Sequence, residues 1–533
     1  MKRYIILVCL FLGGLTSCDD FLEEQSNENA YATSCRDLNE LLVGGGYMQH
    51  LVVTEKKQLK PDAKNSAYFP WLHVMDDDAE EFVRGEFKTT TPLAELYGFY
   101  SWEKDPCNLD GVLYSDKTWG RLYEHIAVLN VILDKVESFI HDTEEDRNAV
   151  KGQCYFLRAS YYYLLVNLYA KPYDQVTASR DLGVPIKLTP YVEDKNYTRA
   201  SVDSVYHQIV SDLILAIDYL EGYQPTTLRR ATQNAARVLL SRVYCYMGKW
   251  DLVPTLCNAV LAENKYSFKN LTKTTTKDTS WIDVNSPEII FTQGSHCINR
   301  VFPLVKGQAM SGFRISDELI QLFDENGFHE KTLDGLVVRE ANDYRKKFTL
   351  YQEQVPTSEG EVDFFIPRKT RALTTAEEFS FVSDVFTIRI SEVYLNLAEA
   401  LVMTNQEGLA RDVLKTLMEN RISNLEPITV AGKDLIDLVR KERRRELCFE
   451  GQRWFDLRRY AVSPNYPELN SIRHKTYDYA YGGSGTPGIY KGYYVLPDYP
   501  DGGWVLPIPS VEIEQTDGAI VNNDRESCVL HEN

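Results

Sequence analysis

The sequence has no cysteine pair at the C-x-x-C spacing that zinc and redox sites use, although it contains ten cysteines. Its nine histidines show no metal-ligand spacing either. Four cysteines lie within apolar helical patterns, where cysteine behaves as a small hydrophobic residue: Cys154, Cys245, Cys257 and Cys448. The sequence therefore predicts no metal centre, no bound cofactor and no disulfide scaffold.

Basic residues are also scarce. The chain has 58 Lys and Arg against 77 Asp and Glu, a formal net charge of -19. Nucleic acids are bound through clustered basic side chains, and anionic lipid surfaces attract the same clusters. The charge therefore argues against nucleic acid as a partner. It favours a ligand held by stacking and hydrogen bonds, for which the 34 tyrosines are suitable side chains.

Long apolar runs are absent except at the N-terminus. There, Lys2 and Arg3 precede an apolar run over residues 4–12, which is too short to span a membrane. The charged start, the short apolar run and the small residues that follow are typical of a secretory signal. We therefore predict a signal peptide over residues 1–17.

The segment Leu15-Thr16-Ser17-Cys18 resembles the lipobox of bacterial lipoproteins. That resemblance implies cleavage before Cys18 and acylation of its thiol and new amino group, which anchors a chain stably because more than one acyl chain enters the lipid. The acidic residues that follow Cys18 resemble the surface-export signal of Bacteroidota lipoproteins. We expect residues 18–32 to be a lipidated tether that holds the protein to the cell outer membrane, facing the extracellular side.

Helical periodicity dominates two parts of the chain, at about 117–262 and 391–460. Trp119, Tyr123 and Ile126 fall at i, i+4 and i+7, so they share one helix face. The predicted helices are 33–60, 146–170, 202–221 with Ser201 as N-cap, 231–247, 250–262, 391–404, 408–421, 434–449 and 451–460.

The other stretches lack this period. Residues 61–116 are irregular, residues 263–388 contain strand-like runs such as 288–291, and the tail, 461–533, combines Gly, Pro and Tyr with short strands. Helix pairs with alanine at inter-helix positions resemble tetratricopeptide repeats, but they are imperfect and interrupted. The predicted fold is mostly α. It is a single domain over 33–533 with a helical half and a long irregular insert that contains short strands and carries the binding site.

Several motifs together resemble the SusD/RagB family, the surface lipoproteins of polysaccharide-utilisation systems. They occur in the family's order and cover nearly the whole chain. The motifs are Gly152-Gln153-Cys154-Tyr155-Phe156-Leu157-Arg158-Ala159 with Gly183-Val184-Pro185-Ile186, Arg389-Ile390-Ser391-Glu392-Val393-Tyr394-Leu395-Asn396, the run from Arg440 to Arg459, and Leu506-Pro507-Ile508-Pro509.

The resemblance implies a SusD-like fold and a binding function. Members of the family capture an oligosaccharide or polysaccharide at the cell surface and deliver it to a SusC-like TonB-dependent transporter of the outer membrane. The RagB branch implies an alternative, a surface lipoprotein that binds peptides or proteins. We expect no enzyme activity, because nothing in the sequence selects a pair of catalytic carboxylates or a nucleophile. The identity of the glycan or peptide stays open.

Family members bind glycans through aromatic residues in the loops before the first helix pair and in the central insert. Sugars stack their C–H faces on rings and exchange hydrogen bonds with planar polar groups. Burial in the core is the alternative for each ring. The predicted ligand-binding residues are Trp71, Tyr97, Tyr100, Trp102, Asn108, Trp281, Phe291 and Arg314.

Two charged runs invite a functional interpretation. Asp76, Asp77 and Asp78 lack the alternating ligands and glycine turn of a calcium loop, so we expect a solvated acidic face or a helix N-terminus and leave a structural calcium ion open. The basic run 440–459 contains glutamates at helical spacing. We therefore predict ion pairs within the helix, Arg443 with Glu446 and Glu442 with Arg445, and consider pairs between helices as well.

The tail contains a tyrosine-rich stretch around a Gly-Ser-Gly loop at 483–485. The loop neither follows a buried strand nor opens a helix, so it is not a dinucleotide site. Alternating residues on both sides predict a β-hairpin with packed faces, and a rim of the binding surface is the alternative. The tyrosines are Tyr477, Tyr479, Tyr481, Tyr490, Tyr493 and Tyr494.

Overall fold

The computed structural model of the chain describes residues 32–50, 68–82, 92–109, 112–114, 116–274, 280–302, 312–333, 336–357, 360–370, 381–478 and 488–532. Structural statements below refer to these residues. The predicted signal peptide and Cys18 lie outside them, as does the predicted tether up to residue 31.

Helices account for most of the regular structure, and their order follows the predicted periodicity. The α-helices are α1 Cys35–Leu41, α2 Pro92–Tyr100, α3 Thr118–Lys135, α4 Glu144–Tyr169, α5 Val202–Tyr219, α6 Gln233–Tyr246, α7 Val253–Ala262, α8 Ile298–Val301, α9 Asp317–Asp324, α10 Tyr344–Thr349, α11 Ile390–Met403, α12 Glu407–Met418, α13 Gly432–Leu447, α14 Arg453–Ala461 and α15 Ser510–Gln515.

Successive long helices pack against each other. Helix α4 packs on α3 and α5, α6 on α5 and α7, and α11 on α7, α12 and α13. The prediction of a mostly α fold with a helical half is therefore confirmed, and the two helical parts of the chain form one layered body.

Helix α4 lies at the centre of this body. The hydroxyl of its N-cap, Thr143, accepts the N–H of Asp146 at 3.0 Å, and acidic residues in the first turn suit the partial positive charge of a helix N-terminus. Every residue from Val150 to Tyr169 except Tyr155 is buried. A helix that is covered on nearly all sides organises the core instead of bordering it.

A buried ion pair joins the first three long helices. Arg158 of α4 donates to the two carboxylate oxygens of Asp212 in α5 at 2.7 and 2.8 Å. Its remaining nitrogen donates to the side-chain oxygen of Asn130 in α3 at 2.9 Å. The predicted N-cap of α5 is confirmed, because the Ser201 hydroxyl accepts the N–H of Ser204 at 3.1 Å.

Short strands lie between the helices and on the surface of the helical body. They are β1 Ala79–Phe82, β2 Asn108–Leu109, β3 Val112–Leu113, β4 Ile289–Thr292, β5 Gly312–Ile315, β6 Phe328–Leu333, β7 Leu336–Ala341, β8 Leu350–Thr357, β9 Gly360–Pro367, β10 Thr387–Arg389, β11 Ile472–Asp478, β12 Ile489–Leu496 and β13 Leu530–Glu532.

The strands form small antiparallel sheets. Pairs β2–β3, β6–β7 and β8–β9 are local hairpins, whereas β1–β5 and β4–β10 join segments that are far apart in the sequence. The largest sheet has the order β11-β12-β13 and contains the predicted tyrosine hairpin. Strand β11 also lies against β1, so the tail of the chain meets the segment that precedes the helical half.

Two irregular regions contain helices that periodicity did not predict. Helix α2 lies in the 61–116 stretch, and α9 lies in the insert with Ser316 as N-cap, whose hydroxyl accepts the N–H of Leu319 at 3.3 Å. Both are too short to show a helical period against their surroundings. The predicted helix 33–60 ends early, since α1 passes into a π-helical turn, Leu42–Gly46, and residues 47–50 are not helical; residues 51–60 lie outside the described residues.

Most of the charged run 440–459 is buried, and its Glu446 is the centre of a cluster with Glu288, Arg345, Arg389 and Arg421 that we call the ion network. Glu446 accepts from Arg389 at 2.6 Å, Arg421 at 2.9 Å and Arg345 at 3.2 Å. Arg389 and Arg421 also pair with Glu288 of the insert, at 3.0 and 2.8 Å. These bonds link α13 to α10 through Arg345, to the end of β10 through Arg389 and to the turn after α12 through Arg421. Ion pairing between helices is therefore confirmed.

The two predicted pairs within α13 have different outcomes. Arg445 pairs with Glu442 at 2.6 Å, as predicted. The prediction that Arg443 pairs with Glu446 is wrong, because Arg443 donates to Asp456 of α14 at 2.7 Å and to Asn396 of α11 at 2.8 Å. Burial would raise the pKa of Glu446, but Arg421 and Arg389 outweigh burial and hold the pKa well below its ordinary value.

The three consecutive aspartates are a second correction. Asp76 and Asp78 are buried and the three aspartates precede strand β1, so both expectations, a solvated acidic face and a helix N-terminus, are wrong. Arg453 donates twice to Asp77 at 2.7 Å, and Arg444 donates to Asp78 at 2.7 Å. Their carboxylate oxygens lie within 4.8 Å of one another, but two guanidinium groups already supply the compensating positive charge.

Candidate functional site

The six aromatic residues predicted to bind ligand are all in the core. Trp71, Tyr100, Trp102 and Phe291 are 0% exposed, Trp281 is 1% exposed and Tyr97 is 4% exposed. A ring needs an exposed face to stack on a sugar. Their participation in binding stays a prediction, and the structure gives each of them a packing role.

Three of these rings converge beneath the β11-β12-β13 sheet. The imidazole of His474 is sandwiched between Tyr100 and Trp102, with both ring centroids 4.1 Å away. The two ring nitrogens of His474 lie 2.7 Å from the Tyr100 carbonyl oxygen and 2.8 Å from that of Asp76. The Tyr97 hydroxyl lies 2.6 Å from the Thr476 hydroxyl. These side chains hold β11 on α2.

The other three rings lie in separate parts of the core. Trp71 stacks on Phe99 with centroids 5.0 Å apart, and Phe291 meets Phe156 edge to face at 4.9 Å. Trp281 lies beside the ion network, with the guanidinium carbons of Arg389 and Arg421 at 5.3 and 4.9 Å from its ring. The structure therefore does not bring these three residues together with the others.

The two polar candidates are accessible. Asn108 is exposed in the β2–β3 hairpin. Arg314 of β5 is partly exposed and pairs with Glu80 of β1 and with Asp317 at 3.5 Å. Lys475 of β11 reaches the same acids, 3.1 Å from Asp317 and 3.4 Å from Glu80. Arg314 thus lies at the border of the C-terminal sheet.

The outer surface of that sheet carries a group of exposed polar and aromatic side chains. Directly opposed residues of an antiparallel pair share a face. Lys475, Tyr493 and His531 are opposed across the three strands, Tyr477 is opposed to Tyr490, and Arg473 is opposed to Val495. We call the surface formed by Arg473, Lys475, Tyr477, Tyr490, Tyr493 and His531 the sheet face.

Rings on the sheet face contact one another without being buried. Tyr493 stacks on His531 with centroids 5.3 Å apart and an interplanar angle of 18°. Tyr477 and Tyr490 meet at 5.7 Å and 67°. The guanidinium carbon of Arg473 lies 5.2 Å from the centre of the Tyr493 ring. The rings are therefore ordered by their neighbours before any ligand arrives.

Local sequence explains why this face forms. The inward residues of β11 and β12, including Ile472, His474 and Leu496, are buried, and the outward residues alternate with them. Gly492 has φ 156°, and a β-carbon there would collide with the backbone carbonyl of His531. Only glycine therefore lets β13 approach closely enough to place His531 beside Tyr493.

The electrostatics of the face are mixed. Burial raises the pKa of Glu80 despite the nearby Arg314. Burial also raises the pKa of the Tyr477 hydroxyl, which therefore remains protonated at neutral pH. The face offers hydroxyl and guanidinium donors, partly engaged carboxylate acceptors and ring surfaces, a combination suited to sugar hydroxyls and C–H faces.

Sequence reasoning assigned these tyrosines to a packed hairpin, with a binding rim as the alternative. The hairpin is confirmed, although residues 479–487 between its strands lie outside the described residues. A usable signal was present: Arg473, Lys475 and Tyr477 occupy the outward positions of a period-two pattern. His531 could not be found this way, because its strand, β13, is separated from β12 by more than thirty residues and no local pattern predicts that the two strands pair.

Two segments of the chain match protein families. Residues 88–245 match the family described as starch-binding and associating with the outer membrane, and residues 364–524 match the SusD family. The two segments together cover more than half of the chain. A SusD-like protein from Formosa agariphila is 22% identical over 519 residues, which cover 87% of this chain and 90% of that protein.

Solved structures agree with the fold. A SusD superfamily protein from Bacteroides thetaiotaomicron has a TM-score of 0.65 at 19% identity, covering 92% of this chain and 100% of that one. The surface glycan-binding protein A from Bacteroides uniformis has a TM-score of 0.63 at 18% identity, covering 92% and 99%. At sequence identities this low, the structural similarity shows that this chain shares the fold of these proteins.

Proposed function

Because the chain belongs to the SusD/RagB family, we propose that it is a cell-surface lipoprotein that captures an oligosaccharide or polysaccharide and delivers it to a SusC-like TonB-dependent transporter. The observation that supports glycan capture most directly is the sheet face. There, the Tyr493–His531 stack is accessible, and Arg473 and Lys475 lie beside it.

The chemistry of the face suits binding without bond cleavage. A pyranose ring can lie against the Tyr493–His531 stack while its hydroxyls reach the guanidinium of Arg473 and the ammonium of Lys475. Proteins similar to this one are described as binding proteins. We therefore propose that the protein binds and transfers its ligand unchanged.

Anchoring through acylated Cys18 is part of the proposal. None of the helices among the described residues has the length and apolarity needed to cross a bilayer. The family description associates such proteins with the outer membrane. Replacing Cys18 by Ser should move the protein from the outer-membrane fraction to the soluble fraction, and the mass of the mature N-terminus should lose its acyl groups.

Glycan binding is tested by affinity electrophoresis in gels that contain single polysaccharides, followed by calorimetry with the matching oligosaccharides. We expect Tyr493→Ala to weaken binding about tenfold, or about 1.4 kcal/mol. Tyr191→Ala is the matched control, since Tyr191 is 62% exposed and lies outside the sheet face. Retention by no polysaccharide, together with calorimetric binding of peptides, would replace glycan by peptide as the ligand.

A further inference from the structure

A groove with a volume of about 480 Å³ opens beside the sheet face. Val495 and His531 line it, and both also belong to the outer surface of the sheet. Val529, which is 70% exposed, lies on the groove wall just before β13. The volume is within the range of small-ligand sites, roughly 300–1,000 Å³. The groove and the Tyr493–His531 stack therefore form one continuous surface.

One nitrogen of the Arg525 side chain has no hydrogen-bond acceptor among the described residues. Arg525 lines the groove and is 3% exposed. Its Nε donates to the carbonyl oxygen of Glu103 at 2.9 Å, and its Nη1 donates to the carbonyls of Gly503 and Val505, also at 2.9 Å. Its Nη2 is buried with no partner among the described residues.

Such an orphan donor carries a free-energy cost. A buried donor without an acceptor destabilises the folded protein, more so when the donor is charged. Burial lowers the pKa of Arg525 to about 10, so the guanidinium remains charged at neutral pH. An oxygen atom of a ligand in the groove can supply the missing acceptor after a small adjustment of the side chain.

Three acidic residues also line the groove. Asp501, Asp524 and Glu526 line it, and Asp524 and Glu526 are exposed. One oxygen of Asp501 accepts the N–H of Gly503 at 2.8 Å, and Glu526 pairs with the exposed Lys104. Carboxylates accept hydrogen bonds from hydroxyl or ammonium groups, and they repel carboxylates and sulfates.

We infer that this groove is a second sugar subsite, which takes a neutral or amino sugar unit of a chain when a more distant unit of the same chain lies on the Tyr493–His531 stack. The inference rests on the proposed function and specifies its ligand class. The protein then selects chains long enough to occupy both positions, and it discriminates against chains that carry acidic groups.

The test uses the full-length mature protein and size ladders, from disaccharide to octasaccharide, of neutral glucans, xylans, mannans and galactans, with oligogalacturonate as the acidic ladder. Val529→Trp fills the groove from an exposed position. Val521→Trp is the matched control, because Val521 is 60% exposed and does not line the groove. Calorimetry measures the affinity of each variant for each chain length.

We expect the affinity of the parent protein to rise with chain length and then level off. Val529→Trp should reduce the affinity for the longest chains about tenfold and leave that for the disaccharide unchanged, whereas Tyr493→Ala should weaken every length. If Val529→Trp and Val521→Trp bind long chains equally well, the groove inference is wrong although the protein still binds glycan. If no ladder binds the parent protein, the proposed function itself fails.

The acidic ladder tests the charge selectivity separately. We expect oligogalacturonate to bind at least tenfold more weakly than the best neutral ladder, and Asp524→Asn with Glu526→Gln to narrow that difference. Glu514→Gln with Asp517→Asn is the matched control, since both residues are exposed and lie outside the groove. Equal or tighter binding of the acidic ladder by the parent protein would overturn the assigned ligand class.

Discussion

Arginine side chains meet aromatic rings in two very different regions of this molecule. In the ion network, the guanidinium carbons of Arg389 and Arg421 lie 5.3 and 4.9 Å from the ring of Trp281. On the sheet face, that of Arg473 lies 5.2 Å from the ring of Tyr493. The contact distances are nearly the same, but the first group is buried and the second is accessible.

The partners of the guanidinium groups separate the two regions. Arg389 and Arg421 share the carboxylates of Glu288 and Glu446. Among the described residues, no carboxylate pairs with Arg473. A buried charge needs its partners to be stable, whereas an exposed donor is hydrated and can exchange water for a ligand. A contact between a guanidinium group and a ring therefore stabilises the fold in the ion network, whereas on the sheet face it leaves the guanidinium available to bind a ligand.

The largest expected effect comes from removing the shared acid of the ion network. Glu446→Ala removes the carboxylate that Arg345, Arg389 and Arg421 share and leaves their buried positive charge only partly compensated, which should lower the free energy of unfolding by about 3–5 kcal/mol. Urea denaturation followed by circular dichroism measures this. Glu419→Ala is the control, because Glu419 is half-exposed and its one ion pair in the described part of the chain is with the exposed Lys415; it should change stability by less than about 0.5 kcal/mol.

Trp102→Ala should have a comparable effect on stability. The substitution removes one side of the sandwich around His474 and the hydrogen bond from the indole nitrogen to the carbonyl of Met75, 3.0 Å long. Truncating a buried Trp costs about 3–5 kcal/mol. A variant of normal stability that has lost glycan affinity would restore Trp102 as a ligand-binding residue.

Acid should destabilise the protein through two sets of groups. Burial lowers the pKa of His474 to about 4, so the unfolded chain takes up a proton at this residue between about pH 6.5 and pH 4 and the folded protein does not. Arginine partners hold the pKa values of Glu446 and Asp456 below their ordinary values against the effect of burial. The stability that these two ionised carboxylates contribute is therefore lost at still lower pH.

The contribution of His474 to the free energy of unfolding should therefore fall as the pH falls, by at most about 1.4 kcal/mol per pH unit. Denaturation series between pH 7 and pH 4 measure the slope. His474→Gln should flatten the slope over this range, even though the variant is less stable overall. Equal slopes for the parent protein and for His474→Gln would contradict the burial of a neutral imidazole.

The smallest expected effect is on the sheet face. Arg473→Gln removes a guanidinium from an exposed ring, and we expect a loss of about 0.5–1 kcal/mol in glycan binding with unchanged stability. Arg339→Gln is the control, because Arg339 is exposed and lies 4.0 Å from the Phe328 ring, away from the sheet face. Equal effects of the two substitutions on binding would exclude Arg473 from the site.

The helical framework could be predicted from the sequence because its signals are local. The period of α3 to α7 and the N-cap at Ser201 depend on residues close together in the chain, and the structure confirms them. The short helices α2 and α9 escaped prediction, since a helix of two turns shows little periodicity.

The candidate site could not be predicted from local patterns. Its parts come from β1, β5, β11, β12 and β13, and the pairing of Tyr493 with His531 depends on contacts formed only in the folded chain. Trp71, Trp102 and Trp281 have the side chains of sugar-binding residues, but burial is not encoded in residue type. The number of Trp and Tyr residues thus indicated that rings could bind sugar. Only the fold shows which of these rings are exposed.

Stability and ligand binding reside in separate aromatic groups of this protein. The free energy of unfolding and the glycan affinity, measured for both Tyr493→Ala and Trp102→Ala, test this separation. We expect Tyr493→Ala to lose about tenfold in affinity at unchanged stability, and Trp102→Ala to lose several kcal/mol of stability while its folded fraction binds normally. Normal glycan affinity in Tyr493→Ala would contradict it.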